Sequence, residues 1–139
     1  MKILLVFLGM LVVSVTFIAY EGDMNHYLRL QTNLKAAAEE AAAGASLYYE
    51  EEAFASGILT IKEEDARLYV EEIVSKTAET LSLDPEKGES LTYSLEIQDG
   101  IENPYITVSL NLKTQDLFRL SFLDVTEVTR KARYELAEF

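Results

Sequence analysis

The chain has 139 residues, 49% of them hydrophobic and 26% charged, which suits one modest domain. Its formal net charge is −12, and Lys2 is the only charged residue before Glu21, so residues 21–139 carry −13. This balance argues against nucleic-acid binding, which needs clustered Lys and Arg. Zero Cys removes disulfides, thiolate nucleophiles and cysteine-ligated metals, and the single His26 removes a two-histidine metal site within one chain.

Ile3 to Tyr20 is a run of 18 uncharged residues, and three readings compete for it. A cleaved secretory signal fits poorly, because the run is longer than a usual apolar region and no Ala-x-Ala follows it. A membrane anchor fits, since 18 residues of helix span about 27 Å. So does a helix held first in the membrane and later buried in a bundle between subunits. The last two are preferred, so the segment is expected to be retained. Lys2 flanks one end, and Glu21 and Asp23 the other. The positive-inside rule therefore places Met1 in the cytoplasm and the acidic part outside.

The helix is expected to continue to about residue 52, with a bend at Gly22, where glycine costs about 1 kcal/mol relative to Ala. Its centre is rich in Ala, from Ala36 to Ala45, and the first Pro is Pro85. Tyr20, Met24, Tyr27, Gln31, Leu34, Ala38, Ala41, Ala45 and Tyr48 repeat at an average of 3.5 residues, a heptad-like seam. The pairs Ala38/Ala42 and Ala41/Ala45 have the spacing that lets two helices approach closely. Two readings stay open for residues 34–48: a seam between copies, or packing on the chain's own domain. Glu39, Glu40 and Glu50 to Glu52 read as solvated faces. There is no calcium-loop pattern to order the second group.

Residues 53–139 read as a small α+β domain. Ile58 to Ile61 is a short β-like run after Gly57. Thr60 with Glu63 resembles a capping box for a second helix reaching about Leu81. Its buried stripe is Ala66, Tyr69, Val70, Ile73, Val74, Ala78 and Leu81. Asp84-Pro85 and Lys87-Gly88 close it. Three strands are predicted next, over residues 91–98, 106–112 and 125–136, with turn chemistry at Asp99-Gly100 and Asn103-Pro104. Arg130 falls on the apolar face of the third. Leu117 to Leu123 is the most apolar connection of the acidic part; it is expected to cap the sheet end, in preference to forming an exposed patch that meets a partner or lipid.

Catalytic residues are sparse. His26 sits at the expected membrane surface and reads as structural. None of the nine Ser lies in a Gly-x-Ser-x-Gly turn, and no phosphate-binding glycine loop occurs. The chain is expected to be non-enzymatic, with no cofactor and no metal.

Three stretches resemble the TadE/TadG-like proteins of Tad (Flp, tight-adherence) pilus systems. The first is the N-terminal hydrophobic segment. The second is Tyr27 to Ala38 continuing to Ala43-Gly44-Ala45, similar to the Leu-Gln-x-x-x-Asp-Ala-Ala-Ala-Leu-Ala-Gly-Ala-like stretch of that family. The third comprises Ile106 to Leu110, Phe118 to Phe122 and Val128 to Tyr134. Position 5 is Leu5, where pilins carry a glutamate, which suits TadG-like or divergent members better.

The resemblance implies a pilin-like α+β fold: a long N-terminal helix, and a second helix packed on a small antiparallel sheet of three to four strands. It implies a structural subunit of a surface filament, or an anchored assembly factor that does not polymerise. The expected partners are other copies in a helical homopolymer, the membrane before assembly, and the pilus assembly machinery. The expected assembly interface is Leu5, Leu8, Gly9, Val12, Ser14, Ala19, Met24, Tyr27, Leu34, Ala38, Ala41 and Ala45.

Overall fold

The computed structural model describes residues 1–56, 60–98, 104–115, 117–118 and 125–136, without the side chains of residues 53 and 54. Helix α1 runs unbroken from Lys2 to Ala45, a length of about 66 Å. It passes through Gly22 without leaving the helix. A glycine costs about 1 kcal/mol, too little on its own to interrupt a helix of this length.

The end of α1 falls seven residues short of the expected residue 52. The helix's negative end would have met Glu50, Glu51 and Glu52, and its last turn holds no basic residue to offset them. Instead the chain turns at Ser46 and Leu47, and Tyr49 forms an isolated antiparallel bridge with Ile61. The Glu50 amide donates to the Thr60 carbonyl at 2.8 Å, and the Lys62 amide to the Tyr48 carbonyl at 2.7 Å. Glu51 and Glu52 then open a short helix, α2 (Glu51–Ala55), where carboxylates meet a positive end.

Helix α3 spans Glu63–Thr80 and buries Ala66, Val70, Ile73 and Val74 of the expected stripe, while Tyr69, Ala78 and Leu81 are half-buried. Its N-cap is Lys62 with no side-chain cap bond, so the capping box expected at Thr60 does not form. Glu63, Glu64 and Asp65 do occupy its first turn. A one-turn 3₁₀ helix at Pro85–Lys87 follows. Asp84 caps it by accepting from the Glu86 amide at 3.0 Å, and Gly88 leaves it at φ 78°, the left-handed region that glycine tolerates.

Strands β1 (Ser90–Gln98), β2 (Tyr105–Lys113) and β3 (Glu127–Glu135) form an antiparallel meander in that order. The predicted alternation holds: Leu91, Tyr93, Leu95 and Ile97 face inward along β1 against Ile106, Val108, Leu110 and Leu112 on β2. Val128 and Ala132 continue that face on β3. The expected Asp99-Gly100 turn and the start of the Ile58 to Ile61 run lie outside the described residues, as does most of the apolar connection after Phe118.

One face of the sheet is covered. The second half of α1 lies over β2 and β3, and α3 lies beside α1 over β1. The result is a two-layer α+β fold with a single core. The other face carries Thr, Ser, Asn, Tyr105 and charged residues, with Thr107 buried and its hydroxyl accepting from Arg133 Nε at 3.3 Å.

Candidate functional site

Helix α1 does two unlike jobs along its length. From Lys2 to Ile18 every residue is exposed, whereas Leu30, Leu34, Ala37, Ala38, Ala41, Ala42 and Ala45 are buried in the core. The first part is a stalk about 26 Å long, exposed along its whole length. Among its exposed residues are Leu5, Leu8, Gly9, Val12 and Ser14. A Cβ placed on Gly9 would meet no atom within 4 Å. The Thr16 hydroxyl donates to the Val12 carbonyl at 2.8 Å, so that polar group is satisfied within the helix.

Thirteen large apolar side chains from Ile3 to Ile18 stand at least half exposed. Left in water they would forgo on the order of 20 kcal/mol of burial. The surface therefore needs a cover, and α1 is long and apolar enough to cross a membrane.

The stalk enters the domain through an aromatic collar. Phe118, 9% exposed, lies 6.4 Å from the Tyr20 ring and 5.8 Å from the Tyr27 ring, measured between centroids. Leu117 beside it is buried as well. These two residues of the apolar connection pack on α1, and the rest of it, with the expected capping of the sheet end, lies outside the described residues. Ala19 and Tyr20 are half-buried, and Asp23 is buried. Tyr side chains at this height match the aromatic belts that mark membrane–water boundaries.

The expected interface residues thus separate into two groups. Leu5, Leu8, Gly9 and Val12 share one exposed face, with Ala19 at its base, and Ser14 is exposed on the opposite face of the helix. Met24 and Tyr27 are half-buried against the core, and Leu34, Ala38, Ala41 and Ala45 are 0% exposed within it. Of the two readings of the alanine seam, the structure contains the inward one. Small residues let the sheet and α3 close on α1, and that surface is not offered to a neighbour.

Arg130, the residue that interrupts the apolar face of β3, has a local answer. Its Nη2 donates to Gln31 Oε1 at 2.6 Å, so the guanidinium sits at the border of the covered face. The Phe118 docking and the Gln31 contact join residues about a hundred positions apart, and no local pattern announces either. Among the described residues, no group of three His, Asp or Glu is placed to hold a metal ion.

No family model, no characterised protein and no solved structure matches this chain.

Proposed function

We propose that the chain is a pilin-like structural subunit of a surface filament, of the TadE/TadG-like kind, assembled through the exposed half of α1. The observation that carries this reading is the continuity of α1. One rigid helix is wholly uncovered over residues 2–18 and clamped in a domain core over residues 30–45. Such a helix can be solvated by lipid before assembly and by copies of itself afterwards. The exchange is close to neutral in apolar burial, so it depends on close packing, for which Gly9, Ser14 and Ala19 supply the small surfaces. The domain, with its −13 charge from residue 21 onward, faces the outside of the cell envelope. Its role is non-enzymatic.

Negative-stain microscopy of the purified full chain tests the proposal. Regular fibres are expected, and Gly9→Asp abolishes them while the domain stays folded. Fibres that survive Gly9→Asp would show that the stalk is not a packed core.

A second reading is an anchored envelope protein, or pilus-assembly accessory factor, that does not polymerise. It is favoured by the inward use of Leu34, Ala38, Ala41 and Ala45, which confines any helix bundle to the stalk. Only monomers in detergent, with the stalk in the micelle, would select it.

A further inference from the structure

The chain's charge is segregated, and the segregation singles out a direction of contact. Helix α3 runs back along α1, since Gly44 lies against Tyr69 and Ala37 near Thr80, so the N-terminus of α3 is at the end opposite the stalk. The Tyr49–Ile61 bridge brings the two ends of the α1–α3 connection together there. Glu50, Glu51, Glu52, Glu63, Glu64 and Asp65 are all exposed at this end. Only Glu63 has an ion-pair partner among the described residues, Arg67 at 2.9 Å.

The opposite charge collects at the free edge of β3. That strand pairs with β2 on one side and with no described strand on the other. Lys35 reaches it from α1, its Nζ donating to the Lys131 carbonyl at 3.1 Å. The Lys131 carbonyl therefore points away from β2. Arg130, Lys131 and Arg133 stand on the strand itself, and none has a carboxylate within ion-pair distance among the described residues. Arg130 is held by Gln31, and Arg133 lies 4.2 Å over the Tyr105 ring. Arg133 leans over β2, its Nε donating to Thr107 Oγ1 at 3.3 Å. Two strand cations without a described carboxylate partner, Arg130 and Lys131, are thus left at the edge of a chain of net charge −12, beside Lys35, which has Glu39 at 3.8 Å.

We infer that the β3 edge, through Lys35, Arg130 and Lys131, docks the acidic distal end of a second copy, through Glu50, Glu51, Glu52 and Glu64. The inference rests on the filament reading and supplies its lateral contact. The acidic domains of two copies repel on average, and setting the positive edge against the negative cap turns the charge contribution attractive. The two surfaces differ, so the contact is heterologous and leaves a free edge and a free cap at its ends, as an open helical filament requires. The axial offset follows from α1. The cap lies just beyond Ala45 and the edge lies beside Gln31 and Lys35, ten to fourteen residues earlier. Neighbouring copies are therefore staggered by about 15–20 Å along the helix. The alternative role of edge cations is to keep strands of other chains away, and it predicts no contact with the cap.

The test uses the full chain in lipid vesicles, mixed from nitrogen-14 and nitrogen-15 copies and treated with a carbodiimide that joins lysine to carboxylate. Peptides of mixed isotope joining Lys131 or Lys35 to Glu50, Glu51, Glu52 or Glu64 are expected at low salt. They are lost at about 1 M salt, where the screening length falls to about 3 Å. Arg130→Glu with Lys131→Glu in one copy abolishes the Lys35 crosslinks, and Glu51→Arg with Glu52→Arg in the other restores association. A Gly9→Cys disulfide between copies reports the stalk bundle separately. Stalk disulfides without the edge-to-cap crosslinks overturn the charge contact and leave the filament reading standing. Absence of both overturns both.

Discussion

A Cβ added to Gly44 would fall inside the ring of Tyr69, which also packs against Tyr48 at 5.7 Å between centroids. Gly44→Ala therefore has two opposed effects. It gains about 1 kcal/mol of helix propensity and forces Tyr69 off its seat, an overpacking cost of about 1–3 kcal/mol. The expected result is a net loss near 1 kcal/mol by urea titration. In a Tyr69→Ala background the clash is gone, so the same substitution stabilises; one sign in both backgrounds would refute the contact. Tyr93 gives a second prediction at this scale. Burial first, and its hydrogen bond to the Glu71 carboxylate second, push its phenol above the ordinary tyrosine value. A raised folded pKa means the stabilisation is complete below the unfolded value of about 10 and is lost as pH rises through the folded one. The urea midpoint of the wild type therefore falls more steeply between about pH 9 and 11 than that of Tyr93→Phe.

At the scale of elements, what was legible in the residues was what rests on local period. The alternation in residues 91–97 and 106–112 marked two strands and their inward faces, and the spacing from Ala66 to Leu81 marked α3 and its buried stripe. The third strand was legible in Val128 and Ala132 despite Arg130, because the guanidinium finds Gln31 at the sheet border. The end of α1 was not legible: Glu50 to Glu52 are good helix formers, and only the Tyr49–Ile61 bridge redirects the chain. The alanine seam was legible as a close-packing surface but not as to its partner, since Ala38 and Ala41 suit a neighbouring subunit and the chain's own sheet equally well. The collar was half legible, because hydrophobicity marks Leu117 and Phe118 for burial without saying against what. Phe118 there bridges the β2–β3 connection to α1 through Tyr20 and Tyr27. Phe118→Ala is expected to cost about 3 kcal/mol. It also speeds amide exchange in residues 20–27 more than in residues 34–45, where the core holds α1 independently. Uniform acceleration along α1 would show that the collar is no separate clamp.

For the whole molecule, the division of α1 has a direct consequence. Residues 2–18 make no buried contact, while the core draws on Leu30 and beyond, on α3 and on the three strands. Stability of the domain and solvation of the stalk are therefore separable quantities. A chain beginning at Tyr20 keeps the collar and every core residue, and loses the surface that forgoes on the order of 20 kcal/mol in water. It is expected to be soluble and, at about 1 M salt where the edge-to-cap contact is screened, a monomer that unfolds in one cooperative transition. Its urea midpoint should lie close to that of the full chain in detergent, because nothing the core uses has been removed. The same separability underlies the reading of Gly9→Asp, where lost fibres with an unchanged midpoint place the defect in assembly, not folding. Orientation is tested on the same principle, and the absence of Cys makes single reporters clean. In cells, a cysteine at the exposed Asn33 reacts with a membrane-impermeant maleimide, whereas one at Lys2 reacts only after the membrane is opened. Labelling of both from outside would mean that the apolar helix does not span the bilayer, and the stalk would then need a protein partner as its cover from the start.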